Sequence, residues 1–160
     1  MMNRQAIIFV LTLALVMPWP NAAKSFSSSD LIGVWELKFD GRPPYSFSQI
    51  GFTEDGQKCV LSYEFDESGQ ISVDYYLNRF RIEGDYLYSE IGFSSTPFLL
   101  KGEVIKDRIN SLGKDYFEVF MVAPLQGLVA EKHQRLPHVL PEAICEVVDS
   151  YRLTTQAAAK

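Results

Sequence analysis

The sequence predicts an all-β protein: an antiparallel up-and-down β-barrel of about eight to ten strands, with a C-terminal α-helix. Three observations carry this. Apolar and polar residues alternate with period two along one stretch after another, as strands with one buried and one wet side require. Turn residues recur every eight to twelve positions or so, with no helical pattern between the strands. Helical spacing enters only after Pro141, where Ile144, Val147, Val148 and Tyr151 recur on one face.

The first 23 residues read as a signal peptide rather than as fold. Arg4 supplies a positive start, and Ala6 to Met17 is an apolar run too short to cross a bilayer core of roughly 30 Å. Pro18-Trp19-Pro20 breaks the run, and cleavage after Ala23 or Ser25 suits a signal peptidase; an uncleaved anchor is the alternative. The protein is therefore expected to be secreted or periplasmic, with no transmembrane segment in the mature chain. Residues 24–30 are expected to be a flexible, Ser-rich lead-in. One domain then runs over 31–155, and residues 156–160 are expected to fray.

The first strand is read over Asp30 to Asp40, with alternation from Val34. Trp35, Leu37 and Phe39 share one face; Val34, Glu36, Lys38 and Asp40 share the other. Asp40-Gly41-Arg42-Pro43-Pro44 stops it. Tyr45 to Thr53 is the next strand, ended by Glu54-Asp55-Gly56-Gln57, a hairpin signal because Asp-Gly tolerates positive φ. In Lys58 to Phe65, the residues Cys59, Leu61, Tyr63 and Phe65 share a face. After Asp66-Glu67-Ser68-Gly69, so do Ile71, Val73, Tyr75 and Leu77. The phase then shifts to Phe80 and Ile82, which a bulge or turn at Asn78-Arg79 would explain. Tyr86 to Ile91, Gly102 to Ile109 and Tyr116 to Val122 continue the series, and Leu128 to Leu136 is the closing strand. Phe93 to Leu100 has no clear period and is expected to be a loop at the barrel mouth. A helix is expected over about 141–152, lying across the barrel.

Leu31-Ile32-Gly33-Val34-Trp35, followed by many short alternating strands, resembles the opening of the lipocalin and lipocalin-like families. The resemblance implies that Trp35 plugs the closed end of the barrel and that Arg135, in the last strand, lies over the indole. A cation in that position contributes roughly 0.5–2 kcal/mol. It also implies a barrel that can hold a small apolar ligand.

Composition narrows the function. The chain of 160 residues carries 15 Lys and Arg against 20 Asp and Glu. The leader holds only Arg4, so the mature part has 14 against 20, a net of −6. That balance argues against nucleic acid and against an anionic membrane surface, since both need a basic patch. Two cysteines, Cys59 and Cys145, in an exported protein favour a disulfide between a barrel strand and the C-terminal helix. A reactive thiol or redox pair is the alternative, but there is no Cys-x-x-Cys.

No catalytic residue, metal ligand or cofactor motif emerges. His133 and His138 read as the end of the closing strand and the loop that follows. Of Glu54, Asp55, Asp66, Glu67, Glu83, Asp85, Asp107 and Asp115, almost all fall in predicted turns. There is no Gly-x-Ser-x-Gly and no phosphate loop. The protein is not expected to be an enzyme. The leading expectation is a binder of a small hydrophobic ligand, lined by Phe39, Tyr63, Phe65, Tyr75, Phe117 and Met121 and closed by Trp35 and Arg135. The alternative is an exported protein-binding module, an inhibitor or immunity protein. Its acidic turns Glu54-Asp55, Asp66-Glu67 and Glu83-Gly84-Asp85 would meet a basic partner.

Overall fold

The computed structural model describes residues 25–39, 45–124 and 130–158; the side chains of Lys38, Phe39, Tyr45, Gln156 and Ala158 are left aside. The expected signal peptide lies outside the described residues. A helical turn, α1 (Ser28–Leu31), leads into eight strands: β1 (Gly33–Phe39), β2 (Tyr45–Phe52), β3 (Gln57–Phe65), β4 (Ile71–Glu83), β5 (Tyr86–Ser94), β6 (Val104–Leu112), β7 (Tyr116–Ala123) and β8 (Glu131–Arg135). The chain ends in α2 (Pro141–Ala158). Each strand pairs antiparallel with the next, and β8 pairs back with β1 (Trp35 opposite Arg135, Leu37 opposite His133), so the barrel closes.

Two apolar clusters, one on each face of the sheet, account for the fold. Inside, Trp35, Phe52, Phe80, Leu87, Ile109 and Phe117 fill one end of the barrel, and Leu31 of α1 seals it from below. Outside, Val34, Cys59, Leu61 and Tyr75 are covered by Ile144, Cys145 and Val148 of α2. Cys59 and Cys145 form a disulfide across this second cluster. Gly51 permits the close approach of the helix: a Cβ there would meet the Pro141 carbonyl oxygen at 2.8 Å and Ile144 Cβ at 3.2 Å.

Four expectations are corrected. Residues 24–30 were expected to be a flexible lead-in, but α1 forms there, because the Asp30 carboxylate accepts the Ser27 backbone N–H at 2.8 Å in a capping arrangement. The helix runs past residue 152 to Ala158, well into the tail expected to fray. Its last turns are anchored by Tyr75, whose ring stacks on Tyr151 at 5.3 Å and whose hydroxyl is 2.6 Å from Thr155 Oγ1. The irregularity expected near Asn78 sits between Leu77 and Asn78, but the extra residue is on β5: Leu77 faces Phe93, Asn78 faces Ile91, and Gly92 is skipped.

The fourth correction is the largest. Tyr63, Phe65 and Tyr75 do not point into the barrel. Tyr63 and Tyr75 pack in the outer cluster with α2, and Phe65 lies alongside on the same face of β3, with Phe47 stacked on both Tyr63 and Phe65. The inner face of β3 and β4 is the other register: Lys58, Val60 and Ser62, then Tyr76, Asn78 and Phe80. Because α2 covers the outer side, the larger apolar residues lie outside over this part of the sheet. The apparent phase shift after Leu77 is the point where the apolar burden passes from the outer face to the inner one.

Candidate functional site

The closed end is an aromatic floor. Trp35 and Phe117 meet edge to face at 4.8 Å, and Phe52 and Phe80 at 4.9 Å. Such pairs add about 0.5–1.5 kcal/mol each beyond the area they bury. The Trp35 indole donates to the Leu31 carbonyl at 2.7 Å. From outside, the Arg135 guanidinium lies 4.0 Å from the centre of the Trp35 ring. It donates to the carbonyls of Ile32 at 2.7 Å, Lys114 at 2.6 Å and Asp30 at 3.1 Å.

Above the floor a cavity of about 250 Å³ opens toward the mouth. Leu37, Ile50, Val60, Ile105 and Met121 supply its apolar walls, and Leu99, from the mouth loop, lies over it. Of the residues expected to line a ligand site, Met121 lines this cavity, Phe117 is in the floor, and Phe39 ends β1 with its side chain outside the described residues. The turn acids do not share one edge. The strand directions place Glu54-Asp55 and Glu83 to Asp85 at the closed end and Asp66-Glu67 at the mouth.

What the sequence did not reveal is a set of polar groups inside the barrel. Lys58 is 8% exposed, and its ammonium donates to Ser89 Oγ at 3.1 Å. Asn78 and Asp107 are buried on the same inner face, and Glu131 stands half-exposed at the cavity edge. Asp107 lies within β6, facing inward. Burial pushes its carboxyl up from the ordinary range and Lys58 pulls it back. Glu131 is raised by burial and then by Asp107, again opposed by Lys58. A buried ammonium is costly without counter-charge, and these carboxyls supply it.

His133 is a different case. It is 2% exposed, and its ring stacks flat on Phe117 at 4.2 Å. Neither ring nitrogen has a hydrogen-bond partner among the described residues. Burial, reinforced by the Lys58 charge, holds its pKa down at about 3. His138 sits apart, exposed in the turn before α2.

This has a measurable consequence. A histidine that takes up a proton near pH 6.5 unfolded but only near 3 folded leaves stability intact above pH 6.5, and that stability drains as the pH falls below it. By pH 4.5 the loss reaches about 3 kcal/mol. The raised carboxyls act in the opposite sense. In His133→Leu the difference in unfolding free energy between pH 7.5 and pH 4.5 should therefore shrink by about that amount relative to wild type. Guanidinium titrations at the two pH values measure it; an unchanged difference would mean that His133 is not held neutral.

The strand order, consecutive and closed on itself with a helix packed outside, decides the architecture. The fold is lipocalin-like. A search of solved structures finds a lipocalin-like protein from Bacteroides uniformis ATCC 8492, at 12% identity and a TM-score of 0.42, over 67% of this chain and 99% of that one. No protein-family model matches the chain, and no curated protein does. Among the described residues no helix is long and apolar enough to cross a membrane.

Proposed function

We propose that the chain is an exported binding protein that takes one small, largely apolar ligand into its barrel. The observation that supports this most directly is the cavity itself. Leu37, Ile50, Val60, Leu99, Ile105 and Met121 line it together with polar groups that include Lys58, Asn78 and Asp107, so it offers both apolar surface and fixed hydrogen-bonding groups, as small-molecule sites do. At about 250 Å³ it falls just below their usual range of roughly 300–1,000 Å³, so the ligand is small. The disulfide fits an oxidising compartment outside the cytosol. The acidic turns, split between the two ends of the barrel, give the protein-binding alternative no single contact edge.

Native mass spectrometry of protein recovered from its export compartment, with and without organic extraction, tests the reading. An extractable apolar mass near one-to-one occupancy is expected. Met121→Trp, which fills the cavity, should lose that mass while costing only about 1–3 kcal/mol in stability. An adduct that survives Met121→Trp unchanged, or a clean apo mass from every preparation, would remove the support.

A further inference from the structure

Ordinary apolar carriers need no ionisable groups in the pocket, yet this one buries several. Asn78 is 4% exposed and lines the cavity, and its side-chain oxygen has no hydrogen-bond partner among the described residues. If the amide is turned over, its NH₂ takes that place, so an unmatched hydrogen-bonding group faces the cavity in either orientation. Lys58, on the neighbouring strand, has three donors, and among the described residues Ser89 takes one of them. Buried polar groups are normally matched, so both point to something that enters the cavity.

The charges say what kind of head it carries. The cavity is lined by Lys58 with one positive charge and by Asp107 and Glu131 as acids. His133, just below on β8, stays neutral. A carboxylate head could approach Lys58, but it would add a third acid where two already face one ammonium. An ammonium head would even that count, but it would set a second cation beside Lys58 and, with no lone pair, could not accept from it. In an enclosed site a like-charge approach of either kind is costly. An uncharged group that both gives and accepts hydrogen bonds escapes both penalties. It can accept from Lys58, and it can donate to or accept from Asn78 as the amide requires.

Resting on the binding role proposed above, we propose that the ligand is a small molecule with an uncharged head that both donates and accepts hydrogen bonds, an alcohol or a primary amide, on an apolar body. At the roughly 30 Å³ that a water molecule occupies in the liquid, the cavity has room for about eight non-hydrogen atoms.

The test uses the disulfide-intact exported protein and three probes of seven carbons each: 1-heptanol, heptanoate and heptylamine. Each is titrated at pH 7.5 and followed by backbone amide shifts. 1-Heptanol should bind at least tenfold more tightly than either charged probe, with shifts at Lys58, Asn78 and Asp107. Asn78→Leu should weaken 1-heptanol about tenfold and leave the charged probes where they were. Lys58→Met, if it folds, should turn the preference toward heptylamine; if it does not fold, the Asn78→Leu series still decides. Heptanoate or heptylamine binding wild type as tightly as 1-heptanol would overturn this inference and leave the binding role standing. Shifts from no probe, or only on the α2 face around Tyr63 and Tyr151, would overturn both.

Discussion

Replacing Cys59 and Cys145 together by Ser is expected to lower the unfolding free energy by about 4–5 kcal/mol on the chain-entropy account. The two residues lie 86 positions apart, and the bridge joins the start of β3 to the first turns of α2. Without it the unfolded chain gains the freedom of a very long loop. The folded state suffers as well. Beneath the bridge, Leu61 and Tyr75 are buried only because Ile144 and Val148 cover them, while Val147, Tyr151 and Leu153 of the same helix are exposed. An amphipathic helix of this kind is held by its packing rather than by its own propensity. The bridge therefore fixes the lid over the outer cluster. Guanidinium unfolding of the double variant, with hydrogen exchange read in α2, measures both effects. Amides of α2 should lose protection before those of β6 and β7, whose Ile109, Leu112, Phe117 and Val119 belong to the inner cluster. A loss below 1 kcal/mol, with α2 protection unchanged, would show that helix packing alone suffices.

The same helix explains how much of the molecule was legible in its sequence. Strand after strand could be read from alternation, and the hairpins at Asp55-Gly56 and Ser68-Gly69 from turn chemistry, because both signals are local. Gly56 and Gly69 have the positive φ those turns require, 83° and 81°. Which face of a strand is the inside is not local. In most of the barrel one face is wet and the apolar residues name the interior. In β3 and β4 both faces are buried, one by the opposite wall and one by α2. The run Cys59-Val60-Leu61 carried that information, since a strand covered on both sides loses its alternation. Read by size alone, the aromatic register of Tyr63, Phe65 and Tyr75 took the place of the true inner register. The polar set was lost through the same inversion. Lys58 and Asp107 sit in stretches read as strands, but nothing local marks them as facing inward, and no pattern in the chain sets them across from each other. Only the closing of the barrel does.

Arg135→Ala is expected to cost about 3–4 kcal/mol, from a lost cation–aromatic contact and from carbonyls left without donors. The guanidinium lies over the Trp35 ring and binds the carbonyls of Asp30, Ile32 and Lys114, so one side chain ties α1, the entry to β1 and the β6–β7 turn to the end of β8. Those are the segments that seal the barrel floor. Gly33 is part of the same device. It holds φ at 131°, and a Cβ there would come within 2.5 Å of Arg135 Nη1. The backbone thus leaves the space the guanidinium occupies. Arg135→Lys should recover less than half of the loss, because an ammonium keeps the charge but cannot lie flat on an indole while reaching three carbonyls in different directions. Gly33→Ala should match the Arg135→Ala loss, and combining the two should cost less than their sum, since each disturbs the same contact. Denaturant unfolding followed by Trp35 fluorescence reads all four proteins. Strict additivity of the pair would mean that Gly33 answers to its own backbone strain and not to the arginine above it.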